Sequence, residues 1–377
     1  MTAVEPHALA RLPEEWAEAF AAAGDRPFHG RQVFRWLHAR GELDPAKMTD
    51  LPRALRERLA AEAPITPPLR VAEVHRARDG TRKLVCELAR GGRIECVVIP
   101  MSEDPDDDPD DEEGPWDGRV TLCVSSQVGC AMGCVFCASG RAGLERGLGA
   151  EEIIAQVAAA REHLAPGEHL RNLVLMGMGE PLHHYAETAR ALRVLTSAEG
   201  AAISPRRITV STVGLVPGIR KLGEDFGGKI GLALSLHASN GAIRGRLLPM
   251  NDRFPFEEVL RALREYPLPK RRRITIEYTL IDGMNDEVAH ARELARALTG
   301  IRVKVNLIPM NPVAGAGFGA PPAGRVDAFR RALQSLGVSV FVRKTRGDEV
   351  DAACGQLVLK EKLIQRGKTE PCSDVSS

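Results

Sequence analysis

Aromatic residues make up only 4% of this 377-residue chain, which argues against recognition built mainly on many stacked rings, although it does not exclude RNA. No run of about 18 apolar residues occurs, so a transmembrane helix is excluded. Met1 to Arg11 lacks the apolar stretch that a secretory signal needs. Net charge is nearly absent too, with 51 Lys and Arg against 50 Asp and Glu. That balance is not uniform. Glu103 to Glu113 holds nine acids and no base, leaving 41 acids against 51 bases elsewhere, an excess suited to a polyanion. Eight cysteines in a long chain without an export signal predict a reducing cytoplasm, where thiols are more often metal ligands or catalysts than disulfides. At roughly 150 residues per domain, two or three units are expected, with core enough to need no staples.

What is present falls into segments. Residues 1–65 read as a helical accessory domain, with apolar residues at three- and four-residue spacing over Pro13–Ala23, Gly30–Ala39 and Leu51–Ala63. The middle helix, with Phe34, Trp36 and Leu37 among Arg31, Gln32, Arg35 and Arg40, is either the surface helix of a small bundle or a nucleic-acid contact. Residues 66–100 form a small β extension: Leu69–Val74, Lys83–Leu88 and Ile94–Ile99 are β-rich and separated by the turn dipeptides Asp79-Gly80 and Gly91-Gly92. Residues 101–118 carry the acidic run, predicted to be a disordered insertion. Over 119–345, strand-like runs (Val120–Val124, Leu173–Met176, Ile208–Ser211, Ile230–Leu236, Ile274–Leu280, Val303–Ile308) alternate with helical stretches. This predicts an α/β fold, a partial (β/α)6 barrel with its chemistry at the C-terminal strand ends. Residues 346–377 form a C-terminal segment.

Cys130, Cys134 and Cys137 lie in GCAMGCVFCASG, just past the first barrel strand. Three thiolates within eight residues converge only through a tight loop, which Gly129 and Gly133 permit. Spacing leaves two metals open: zinc, with Cys123 as a fourth ligand, or an iron–sulfur cluster with one iron left open.

The C-x3-C-x2-C spacing, with an aromatic before the last Cys, resembles the radical S-adenosylmethionine (SAM) superfamily, and so implies one 4Fe-4S cluster on Cys130, Cys134 and Cys137. TLCVSSQVGCAMGCVFCASG (121–140), LVLMGMGEPL (173–182), RRITVSTVGLVPGI (206–219), LALSLHA (232–238), LIPMNP (307–312) and VRKTRGDEVDAACGQL (342–357) together resemble the RlmN/Cfr family, closest to its adenine-C2 RNA methyltransferase branch. The resemblance implies cofactor contacts at Gly179, Glu180, Ser211, Ser235, Leu236, His237 and Asn311. Taken alone, Gly177 and Gly179 read as an ordinary strand-to-helix turn, His237 as a core histidine, and Met176 and Met178 as core filler.

The same resemblance implies that Cys354 accepts a methyl group from one SAM and becomes S-methylcysteine. A second SAM, hence two per turnover, would supply a 5′-deoxyadenosyl radical that removes hydrogen from that methyl, and the carbon would add to C2 of adenine. Glu95 corresponds to the proton acceptor, and Cys123 to the resolving thiol that forms a transient disulfide with Cys354. Without the family, Cys354 reads as inert core and Glu95 as an exposed acid on an edge strand. Cys86, Cys96 and Cys372 match nothing and read as structural or incidental.

The implied partners are 23S rRNA, tRNA and a low-potential electron donor such as flavodoxin or ferredoxin; no membrane is involved and a monomer is expected. Arg206-Arg207, Arg244–Arg246, Lys270–Arg273 and Arg343–Arg346 suit phosphate contacts, and a stacked adenine would have to be flipped out. The alternatives are a Cfr-type C8 methyltransferase, a radical enzyme acting on a peptide or small molecule, and a zinc-bound RNA-binding module without catalysis.

Overall fold

The computed structural model describes residues 5–62, 65–101, 118–313, 315–343, 346–353 and 355–357. The acidic run 103–113, Cys354 and Cys372 lie outside the described residues. The first helices are α1 (Pro13–Ala22), α2 (Pro27–His38) and α3 (Arg53–Glu62). Pro13 and Pro27 open α1 and α2, where a missing N–H costs nothing. Trp16 and Phe20 of α1 are buried with Val33, Phe34 and Leu37 of α2, the three- to four-residue spacing of one helix face. Gly30 lets the two backbones touch, since a Cβ there would lie 2.4 Å from the Trp16 carbonyl oxygen.

Strands β1 (Leu69–Arg76), β2 (Arg82–Leu88) and β3 (Arg93–Pro100) form the antiparallel meander. It does not stand apart. β3 pairs antiparallel with β4 (Arg119–Cys123), placing Val97 opposite Cys123, so the meander continues into the main sheet. The chain then runs through β5 (Gln127–Gly129), α4 (Ala138–Ala142), β6 (Leu144–Gly147), α5 (Ala150–Glu162), β7 (His169–Leu175), α6 (Tyr185–Thr196), β8 (Ile208–Thr212) and α7 (Val216–Phe226). There follow β9 (Gly231–Ser235), α8 (Gly241–Leu247), α9 (Phe256–Glu265), β10 (Ile274–Leu280), α10 (Val288–Ala297), β11 (Val303–Pro309), α11 (Ala323–Ser335) and β12 (Val340–Val342). The sheet order is β1-β2-β3-β4-β7-β8-β9-β10-β11-β12, parallel from β4 onward. This is the α/β partial barrel that the alternation of strands and helices predicts.

Parity along these strands sets the site. Leu173 and Leu175, Ile208 and Val210, Ile274, Ile276 and Tyr278, and Val305 and Leu307 are buried on the parity that packs with helical residues such as Ile219, Val259 and Phe329. The other parity turns inward and is more polar: Thr121, Asn172, Thr209, Thr275, Glu277 and Asn306 line one internal cavity. The β5–β6 hairpin, α4 and α8 are absent from the sequence-based expectation, because elements of three to seven residues are too short to show a period.

Candidate active site

The chemistry collects where the inward parity reaches the C-terminal strand ends. Beyond β4, Ser125 is clamped by Gln156, whose amide oxygen accepts its N–H at 2.8 Å and whose Nε2 donates to its carbonyl at 2.9 Å. The Ser125 hydroxyl donates to the Glu95 carbonyl at 2.6 Å and accepts the Met178 N–H at 2.8 Å. One side chain thus ties β3, β4 and the GMGEP segment together. Gly129 has φ +78°, and a Cβ there would lie 1.9 Å from the Gly143 carbonyl oxygen, so the hairpin under the cysteine loop accepts only glycine. Within the loop Cys137 N–H bonds Cys134 O at 3.2 Å, and Val135 N–H bonds Leu247 O of α8 at 3.2 Å.

Cys130, Cys134 and Cys137 line one cavity with Gly179, Glu180, Ser211, Ser235, His237 and Asn311. Residues from the loop after β4 and from the ends of β7, β8, β9 and β11 therefore meet there. Leu236 does not line it; its side chain is fully buried and its N–H bonds Glu277 O. Gly179 has φ +104°, and a Cβ would sit 2.7 Å from Gln127 N. Glu180 is buried, its two carboxylate oxygens accepting the N–H groups of Leu182 (3.1 Å) and Val213 (2.9 Å). Burial outweighs these bonds and pushes its pKa up to about 7.

His237 is no ordinary core histidine. Its φ is +54°, its Nδ1 accepts the Thr279 N–H at 3.0 Å, and Phe136 stands edge-on to its ring at 4.9 Å. With Nδ1 accepting, the neutral ring carries its proton on Nε2. Burial, reinforced by the charge of Arg244, pushes the pKa down to about 3, so the ring stays neutral at working pH. Ser211 and Ser235 hydroxyls bond each other at 3.2 Å.

Cys123 faces an adjoining cavity with Asn311, Arg343, Ala352 and Ala353, and does not line the triplet's cavity as a fourth ligand would. Glu95 is not an exposed acid on an edge strand. β3 is paired on both sides, and Glu95 is 3% exposed, with Lys83 Nζ 3.0 Å from its carboxylate. Glu95 and Val97 share a strand face, and Val97 lies opposite Cys123, so Glu95 and Cys123 point the same way. Cys86 and Cys96 occupy the other parity, fully buried; their mutual hydrogen bond and then burial drive the Cys96 thiol well up, as suits a structural pair.

Cys354 lies outside the described residues, but its flanks do not. Ala138 N–H, one residue after Cys137, donates to Gly355 O at 2.9 Å, and Ser139 Oγ donates to Leu357 O. Residues 355–357 are thereby stitched to α4 beside the cysteine loop.

Other readings change. Met176 is not core filler but lines all three of these internal cavities, whereas Met178 is buried. Arg244 does not belong to a solvated basic cluster, being fully buried. Arg206, Arg207, Lys304, Arg343 and Arg346 line the barrel interior. The sequence reading passed over Glu277, which is buried and lines both the triplet's cavity and the barrel interior; an acid amid the apolar strand ITIEYTL was the available signal.

The donor set suits an iron–sulfur cluster: three thiols reach one cavity on a glycine-permitted loop, with polar strand ends opposite for a bound cofactor. Among the described residues no three His, Cys, Asp or Glu side chains close on a single ion, and no helix is long and apolar enough to cross a membrane.

Residues 124–295 match the radical SAM superfamily, and residues 12–65 match the ribosomal RNA large subunit methyltransferase N-terminal domain. The chain is 55% identical to the dual-specificity RNA methyltransferase RlmN of Sorangium cellulosum over 94% of this chain and 95% of that protein. It is 46% identical to the probable RlmN of Moorella thermoacetica over 92% and 95%. A crystal structure of a radical SAM methyltransferase from Sphaerobacter thermophilus superposes with a TM-score of 0.84 at 42% identity, covering 94% of this chain and 99% of that one. By these likenesses the chain belongs to the RlmN family of the radical SAM superfamily.

Proposed function

We propose that the chain methylates C2 of an adenine in RNA, in 23S rRNA and also in tRNA, with Cys354 as the carrier of the carbon. Cys130, Cys134 and Cys137 hold the 4Fe-4S cluster, and Gly179, Glu180, Ser211, Ser235, the Leu236 main chain, His237 and Asn311 hold SAM. When bound, these groups supply a low-potential electron and a primary carbon radical.

The chain's own residues do the rest. The Cys354 thiolate displaces S-adenosylhomocysteine from the methyl of one SAM, forming a C–S bond. That carbon, once a hydrogen atom has passed from it to the cofactor-derived primary carbon radical, would add to C2 of the adenine. Glu95 takes the C2 proton; it is buried with Lys83 Nζ 3.0 Å from its carboxylate and lies on the strand face that points the same way as Cys123. Cys123 attacks the Cys354 sulfur: the S–C bond breaks as the disulfide forms, and the freed carbon takes a proton to become the methyl group. The surplus electron would return to the cluster, and a cellular thiol reductant restores both thiols. The observation that supports this reading most is the bonding of Ala138 and Ser139 to Gly355 and Leu357, together with Cys123 sharing a cavity with Ala352 and Ala353.

The basic residues outside the acidic run provide the phosphate attraction, a flavodoxin or ferredoxin supplies electrons, and the enzyme works as a cytoplasmic monomer. The test is anaerobic reconstitution with methyl-deuterated SAM, followed by nucleoside mass spectrometry of each RNA class. Labelled 2-methyladenosine is expected. 8-Methyladenosine alone indicates the Cfr-type reaction, and zinc-bound colourless protein that leaves RNA unmodified indicates a binding module; either result rejects this reading. Cys354→Ala should retain iron and cofactor cleavage but leave RNA unmethylated, and Cys123→Ala should trap protein crosslinked to RNA.

A further inference from the structure

Among the described residues Arg244 is the largest side chain that the fold buries completely. Its Nη1 donates to Asn251 Oδ1 and to the Phe254 carbonyl, both at 2.9 Å, and its Nη2 donates to the Val213 carbonyl at 2.5 Å. All three acceptors are neutral, and Nε has no acceptor. A guanidinium keeps its proton even here, so this is a buried cation whose direct hydrogen-bond acceptors are all neutral, an arrangement that is costly unless nearby negative charge offsets it.

Its position says which anion. The Val213 carbonyl that Arg244 holds belongs to the residue whose N–H holds Glu180 Oε2 at 2.9 Å. At the other end, α8, which carries Arg244, accepts the Val135 N–H of the cysteine loop through Leu247 O. Burial lowers the Arg244 pKa to about 10, against which the Cys134 thiol and then the Glu257 carboxylate favour the charged form. Thiols ionise when they ligate iron, so loading the loop adds negative charge beside the helix that carries Arg244.

We propose that Arg244 is a positioning residue that serves as the buried counter-cation of the loaded cysteine loop and joins that loop to the Glu180 segment. This rests on the reading that Cys130, Cys134 and Cys137 hold an iron–sulfur cluster. Cluster reduction adds one electron, delivered in the test by dithionite, and a nearby fixed cation favours the added charge.

The experiment compares wild type, Arg244→Gln and Arg244→Lys as full-length chains, reconstituted anaerobically and titrated with dithionite while the reduced cluster is followed by electron paramagnetic resonance. Arg244→Gln should lower the reduction equilibrium constant at least tenfold, about 59 mV for one electron. Arg244→Lys, which keeps the charge, should stay within threefold of wild type. A Gln variant that titrates with wild type, or Lys and Gln variants that shift equally, overturns the proposal. Circular dichroism of the metal-free chains guards the comparison: both variants should fold, and a Gln variant that cannot fold without the cluster assigns Arg244 to the scaffold and also overturns it. Wild-type protein that takes up no cluster defeats the cysteine reading instead.

Discussion

Glu180→Gln separates what the site needs from what the fold prefers. The Glu180 carboxyl is 3% exposed, and burial lifts its pKa from an ordinary 4.5 to about 7, although the Val213 and Leu182 N–H groups favour the ionised form. The folded value lies above the unfolded one, so between pH 4.5 and 7 the folded chain keeps a proton that the unfolded chain releases. The stability this residue contributes is therefore complete below pH 4.5 and is lost as pH climbs through 7. Across that gap, at ~1.4 kcal/mol per pH unit, the loss amounts to about 3 kcal/mol. Glutamine does not titrate. The difference in unfolding free energy between variant and wild type should thus move in favour of Gln by about 3 kcal/mol between pH 4 and 7.5. Urea unfolding of the metal-free chains, under reductant and at several pH values, measures it, and the subtraction removes other buried acids such as Glu277. A difference that stays constant within about 1 kcal/mol refutes the burial argument. The same variant alters a carboxyl proposed to hold SAM, so SAM affinity should fall as neutral-pH stability rises, the trade-off expected where a site rather than the core retains an acid.

Three further substitutions probe the surroundings. Lys83→Met leaves the buried Glu95 carboxylate without the ammonium 3.0 Å away and should cost about 3–5 kcal/mol in urea unfolding at neutral pH; a loss below about 1 kcal/mol would mean that the pair is not buried as described. Gly129→Ala forces a Cβ to within 1.9 Å of the Gly143 carbonyl oxygen at φ +78°. It should lower iron content per chain at least tenfold in elemental analysis, and full loading would show that the hairpin does not shape the cysteine loop. His237→Asn keeps a residue type tolerant of φ +54° but removes the Nε2 donor. It should fold normally and bind SAM about five- to tenfold more weakly in equilibrium dialysis, whereas unchanged affinity would remove His237 from the cofactor site.

The sequence by itself determined the local chemistry: three cysteines on a glycine-permitted loop, strands alternating with helices, and motifs that fall at strand ends. Such signals survive in one dimension because loop closure and periodicity depend on near neighbours. What a side chain faces depends on partners far along the chain, and that was decided only by tertiary structure. Strands buried on both faces read as continuous apolar runs, so nothing local says that Met176 turns into the cavities while Leu173 turns to the helices. Glu95 reads as an edge acid until β3 pairs with β4 and sets Val97 opposite Cys123. Arg244 reads as one base among several until α8 packs beneath the cysteine loop. Register between distant strands and the docking of a seven-residue helix are fixed by the summed burial of the whole sheet, a quantity that no short stretch of sequence contains.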